Sequence, residues 1–131
     1  MPNHLSLKDF LLIAEAVLEI PYAQLEHAVC VFRVQCSLAA PFMRIHGALY
    51  YDDPVEQAAI CAMRLIRSQP LPKGNNAVAY ECMREMLVRS GRHWSRPEEN
   101  AKEITATLKG VQTEAIGEAE FVAWVRDRVR A

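Results

Sequence analysis

The stretch from Asp53 to Arg67 constrains this chain more than any other. Asp53-Pro54-Val55-Glu56 offers a helix-capping acceptor, a proline preset for the first helical position, and a glutamate to close a capping box. Behind it, Val55, Ala58, Ala59, Ala62 and Ile66 form one stripe at helical spacing, and Ile60, Cys61 and Met63 fill much of the opposite side. A helix that is apolar nearly all round must be covered on several sides, which places it at the centre of a domain. Pro70 and Pro72 end it, because proline cannot continue a helix interior.

The remaining segments read as cover for that helix. Ser6 with Asp9 forms a capping box, and Leu7, Phe10, Leu11, Ala14, Val17 and Leu18 follow on one face. Pro21 stops this helix. A second is expected from Tyr22 to Cys36, with Leu25, Ala28, Val29 and Phe32 in register, and Pro41 closes it. The segment Phe42 to Asp52 lacks helical periodicity. Its Gly47, β-branched Ile45 and paired Tyr50 and Tyr51 predict a short hairpin or extended flap.

A further helix is expected from about Asn75 to Ser90-Gly91, where the glycine suits a C-cap. Trp94 and Pro97 mark the next break. Two more helices are expected, over about Glu98 to Lys109 (stripe Ile104, Leu108, Val111) and Glu118 to Arg130 (stripe Phe121, Val122, Val125, Val129). Alternating Arg126, Arg128 and Arg130 read as a solvated face of the last. The class is therefore mainly α: a bundle of about six helices with a short β-hairpin flap, in a single domain over residues 1–131.

Composition narrows the function classes. With 51% hydrophobic and 24% charged residues, the chain has apolar surface for one core and is unlike a disordered one. No apolar run approaches the roughly 18 to 20 residues that span a bilayer, and Met1 to Lys8 has no secretory pattern. Cys30, Cys36, Cys61 and Cys82 form no CxxC pair, and the histidines are scattered; no metal site is expected. The cysteines read as buried or half-buried free thiols, which fits a cytoplasmic protein. A net charge of -1 gives no sign of a nucleic-acid partner, and no membrane partner is expected. Basic side chains concentrate in residues 61–102, around the loop Gln69 to Asn76.

The segment Gln69-Pro70-Leu71-Pro72-Lys73-Gly74-Asn75-Asn76 joins the central helix to the start of another. A helix N-terminus presents unpaired N–H groups and partial positive charge. Gly74 permits close backbone approach, Lys73 adds a point charge, and Asn75 and Asn76 can donate. Together they have the parts of a phosphate cradle. The same residues also suit an ordinary solvated turn. Arg44 and His46 in the flap are secondary candidates for a cleft-facing role, with an exposed loop as the plainer reading of His46. His93-Trp94 could stack on a base, but a tryptophan anchoring a helix junction is commoner.

The order of these features resembles the Fic/Doc (death-on-curing) family over nearly the whole chain. It runs from Leu7-Lys8-Asp9-Phe10-Leu11 through a helix pair and Tyr50 with acids opening the central helix. It continues with Gln69-Pro70 and Gly74-Asn75, and ends in Phe121-Val122-Ala123-Trp124-Val125. The length suits the Doc toxin branch. The family motif is H-P-F-x-D-G-N-K-R, and Pro70, Gly74 and Asn75 match its Pro, Gly and Asn. Gln69 stands at the histidine, Leu71 at the phenylalanine, Lys73 at the acid, and Asn76 and Ala77 at the Lys-Arg pair.

The resemblance implies transfer of AMP or phosphate from ATP or another nucleotide to a protein hydroxyl. It also implies a target such as a translation elongation factor and neutralisation by a Phd-type antitoxin. The family's histidine takes the hydroxyl proton, its acid holds Mg²⁺, and the helix N-terminus holds the phosphates. Here Gln69 is a neutral amide, and losing a general base typically costs about 10² to 10⁴ in rate. Lys73 cannot ligate Mg²⁺, which wants oxygen donors, although it can contact a phosphate directly. Ala77 removes a forked donor. Two readings follow. One is a Doc-like toxin in which Lys73, Gly74, Asn75 and Asn76 grip the nucleotide and Gln69 orients the target. The other is a catalytically inactive Fic-type pseudoenzyme that binds a nucleotide or a protein.

Overall fold

The computed structural model describes residues 3–94 and 101–131. Among them are seven helices: α1 (Leu7–Leu18), α2 (Tyr22–Ala28), α3 (Val31–Ala39), α4 (Pro54–Ser68), α5 (Asn75–Arg89), α6 (Ala101–Gln112) and α7 (Glu118–Arg128). A 3₁₀ turn, Ala40–Phe42, follows α3. Two small antiparallel sheets complete the described fold: β1 (Arg44–Ile45) with β2 (Ala48–Leu49), and β3 (His93–Trp94) with β4 (Val129–Arg130). No helix among the described residues is long and apolar enough to cross a membrane.

Helix α4 is central, as its sequence requires. Asp53 caps it by accepting from the Val55 N–H at 3.2 Å, with Pro54 next. Ala58, Ala59, Cys61 and Ala62 are completely buried, and their small side chains let the neighbouring helices approach the α4 backbone closely. Helix α5 packs along it, and α3, α6 and α7 cover the remaining sides. Each fully buried Ile60, Leu65, Ile66, Val78 or Leu87 contributes roughly 1.5 to 3 kcal/mol relative to exposure. Gln57, also buried, is satisfied by the Asn3 amide at 2.9 Å and the Tyr51 carbonyl at 2.8 Å. Arg67 reaches out from α4 to the Val111 and Ile116 carbonyls at 3.1 and 2.9 Å. It thereby ties α4 to the C-terminal end of α6 and the turn that follows.

The hairpin flap forms where its sequence predicts it. His46 (φ 53°) and Gly47 (φ 82°) make the two-residue turn, and this pair of positive φ values matches the right-handed twist of the strands. Burial of Cys61 and Cys82 pushes both thiols up, Cys61 to about 12, so neither is reactive.

Four expectations are corrected. The helix expected over Tyr22 to Cys36 breaks in two at Val29 and Cys30, where the backbone is extended. The Cys30 N–H donates to the Pro70 carbonyl at 2.8 Å, so a tertiary bond replaces a helical one. The face rotates at the break. Val34, Ser37 and Leu38 are buried, whereas Phe32 is 75% exposed. The last helix ends at Arg128, because Val129 and Arg130 pair with Trp94 and His93. The arginine face is not simply solvated. Arg126 pairs with Asp53 at 2.5 Å, and Arg128 lies 4.3 Å from the centroid of Trp124 and pairs with Glu103. Finally, Cys30 and Cys36 are exposed. Pro97 and the expected helix start at Glu98 fall outside the described residues.

The cap on α1 makes a measurable prediction. The Ser6 hydroxyl accepts from the Asp9 N–H at 3.1 Å, and the Asp9 carboxylate accepts from the Ser6 N–H at 2.9 Å. The Ser6 N–H first, and then Arg89, hold the Asp9 carboxyl below its ordinary value. A depressed folded-state value contributes stability above the unfolded value, and this is lost as pH falls through the folded value. Urea unfolding across about pH 5 to pH 2 should show a smaller acid loss in Asp9→Asn than in wild type. Ser6→Ala should lower stability by about 1 kcal/mol at neutral pH.

Candidate functional site

The loop between α4 and α5 turns the chain back on itself in a few residues. Gln69 ends α4 in the left-handed region (φ 48°, ψ 61°), its N–H bonding the Leu65 carbonyl at 3.1 Å. A glycine usually stands at this kind of position, and a side chain there costs roughly 1 to 2 kcal/mol. Gly74, with φ 75°, caps the start of α5. A Cβ on Gly74 would sit 2.3 Å from Leu18 Cδ2. Gly74 therefore supplies both a left-handed backbone and room for α1, and the space beside it belongs to Leu18.

Asn75 is 5% exposed and closes the loop like a clasp. Its Oδ1 accepts from the Leu71 N–H and its Nδ2 donates to the Leu71 carbonyl, both at 2.8 Å. One side chain thus satisfies both backbone groups of a buried loop residue. Gln69 Nε2 donates to the Ile66 carbonyl and, at 3.4 Å, to Asn76 Oδ1. Gln69 Oε1 accepts from Asn75 Nδ2 at 3.3 Å. Asn76 Nδ2 donates to Gln112 Oε1 at 3.0 Å, which ties the loop to α6. The amides that the sequence offers to a ligand are bonded to one another and to the scaffold.

Gln69, Asn75 and Asn76 are thus brought together, but Lys73 is not among them. Lys73 instead borders a cavity of about 200 Å³ with Leu18, Ile20, Leu25 and Leu71. Arg44 and His46 join neither group. Arg44 donates to the Gly47 carbonyl within its own turn at 2.9 Å, and His46 is exposed at the turn. The loop itself holds no carboxylate, and among the described residues no three His, Cys, Asp or Glu side chains gather around a possible metal ion. With a lysine at the acid position, the residues present do not fit Mg²⁺.

Two features escape a reading of the chain alone. Ser68 and Pro70 anchor α3: Arg33 donates to the Ser68 carbonyl at 3.2 Å, and Cys30 bonds the Pro70 carbonyl. An open groove of about 710 Å³ also runs between α1, α5 and α6, lined by Ile13, Val17, Tyr80, Trp94 and Leu108 among others. Tyr80 and Trp94 meet edge to face, with ring centroids 5.5 Å apart. The Tyr80 hydroxyl has no hydrogen-bond partner among the described residues. Only the apolar stripe of α1 and the aromatic spacing signal such a groove in the sequence.

Compared with known proteins, the chain matches no family model, no curated protein and no solved structure.

The clasp predicts large effects from small changes. Asn75→Ala should cost about 2 to 4 kcal/mol in urea unfolding, because it strands both backbone groups of Leu71. Asn75→Asp keeps one acceptor but loses the donor to the Leu71 carbonyl, so it should recover only part of this. Gly74→Ala should cost about 1 to 3 kcal/mol through strain and displacement of Leu18.

Proposed function

We propose that this chain is a Doc-like protein of the toxin–antitoxin type that no longer transfers AMP or phosphate and works as a binding module. The observation that carries this reading is a division within the motif loop. The positions that agree with the Fic motif have packing roles. Pro70 is buried and its carbonyl holds Cys30, Gly74 makes room for Leu18, and Asn75 is the clasp. The positions that differ are those that would carry the chemistry: Gln69 for the base, Lys73 for the metal ligand, and Asn76 and Ala77 for the phosphate grip. The joint between the two central helices is kept and the reacting groups are not.

Support for binding comes from the open groove on α1, α5 and α6, whose lining is apolar with Glu81, Arg84 and Glu85 beside it. An amphipathic segment of an antitoxin-type partner suits such a surface, burying apolar side chains against Ile13, Val17 and Leu108. Nucleotide binding has less support, since the amides at the start of α5 are internally bonded and Leu18 fills the space beside Gly74.

The test restores the chemistry on the existing scaffold. Wild type and the variant Gln69→His, Lys73→Asp, Asn76→Lys, Ala77→Arg are each incubated with α- and γ-labelled ATP, Mg²⁺ and a cell extract. Wild type should transfer no label to protein, and the restored variant should transfer it. A rate gain of at least about 10² is expected from the base alone. Labelling by wild type would overturn the loss of catalysis. A folded restored variant that binds ATP, by calorimetry, and still labels nothing would overturn the Fic/Doc lineage.

A further inference from the structure

The cavity of about 200 Å³ beside Lys73 lies between the end of α1, helix α2 and the loop. Its floor is apolar and fixed: Leu25 and Leu71 are 2% and 4% exposed, and Leu18 is pinned against Gly74. The Cys30–Pro70 backbone bond ties the end of α2 to the same loop. Its rim carries two polar side chains, Gln24 and Lys73. Neither has a side-chain hydrogen bond or ion pair among the described residues, and Lys73 stands on the exposed edge.

An apolar pit with an ammonium at its mouth selects by charge as well as by shape. A cation is repelled by Lys73. A neutral alcohol gains only the floor. A carboxylate gains the floor and a charge-assisted hydrogen bond, with the Gln24 amide as a second donor. At about 200 Å³, the pit has room for a short branched chain or a single ring.

We propose that this cavity binds a small apolar carboxylate, its tail against Leu18, Leu25 and Leu71 and its carboxylate on Lys73 and Gln24. The inference rests on the reading that the loop binds rather than catalyses, and it assigns Lys73 a ligand in place of a phosphate. Two sources share this chemistry: a free branched or aromatic acid, and the terminal carboxylate of a peptide ending in leucine.

Titrating the full chain with 4-methylpentanoate, followed by amide NMR shifts, tests the proposal. Shifts should centre on Leu18, Leu25 and Leu71, with a dissociation constant on the order of 1 mM for so small a ligand. Lys73→Gln should weaken binding at least about tenfold, and 4-methylpentan-1-ol should bind as weakly to wild type as the acid does to that variant. Ala28→Trp, which fills the pit from its rim, should abolish binding of both. A short peptide ending in leucine, with a free or amidated C-terminus, separates the sources. Tighter binding of the free-carboxylate peptide than of 4-methylpentanoate assigns the site to chain ends, and weaker binding assigns it to free acids. No shift at these residues, equal affinity for acid and alcohol, or indifference to Lys73→Gln would overturn the proposal. If the motif-restored variant still labels protein while the acid fails to bind, this inference falls and the functional reading stands.

Discussion

Helix α4 cannot turn a broad face to water, and the rest of the structure follows from that. Among its inner residues only Arg64 and Arg67 are exposed, and Arg67 is drawn onto the carbonyls around the end of α6. Four neighbouring helices must therefore meet on α4. Its longest contact is with α5, the next helix in the chain, and a short connection makes such neighbours antiparallel. The chain must then reverse within a few residues, in a region already crowded by α1 and α3. Left-handed backbone at both ends of the loop, at Gln69 and Gly74, is the local result of this demand.

A tight, partly buried reversal creates a second demand. Backbone polar groups removed from water must find partners, or each costs about 1 to 3 kcal/mol. Leu71 is buried inside the loop, and no strand or helix reaches it. Asn75 meets the need because its amide offers an acceptor and a donor at the spacing of a backbone N–H and carbonyl. The asparagine that reads in the sequence as a ligand donor is thus occupied by the fold. The same holds for Gln69 and Asn76, which close a network reaching to α6. Of the loop's polar side chains offered to a ligand, Lys73 is the one left outside this network.

Much of the architecture was legible because its signals are local. The Ser6–Asp9 box, the Asp53-Pro54 start, Gly74 before α5 and the hairpin around Gly47 each rest on neighbouring residues. The all-round apolar pattern of Val55 to Ile66 announced the central helix. What could not be read depends on contacts distant in sequence. Nothing near Cys30 says that its N–H will bond Pro70 rather than continue a helix, and nothing near Val129 says that it will leave α7 to pair with Trp94. At the loop the residue types were legible but their partners were not: Gln69, Asn75 and Asn76 look like free donors until the positions of Leu71 and Gln112 are known. That Lys73 borders an apolar pit and stays outside this network likewise requires the fold.

On the proposed reading, this arrangement also explains how catalysis could be lost without loss of the fold. Substitutions at exposed positions with no packing role usually change stability by within about 0.5 kcal/mol. Lys73 and Ala77 are both exposed, so replacing an acid and an arginine there leaves the helices undisturbed. Gly74 and Asn75 are different: the first is held by Leu18 and the second by a buried backbone. A marginally stable domain tolerates few losses of several kcal/mol. Change is therefore filtered by packing, and on this reading Lys73 and Ala77 are the positions free to change. Such a loop keeps its shape, and a lysine placed on its rim acquires a new neighbourhood. In this chain that neighbourhood is an apolar pit bounded by α1 and α2.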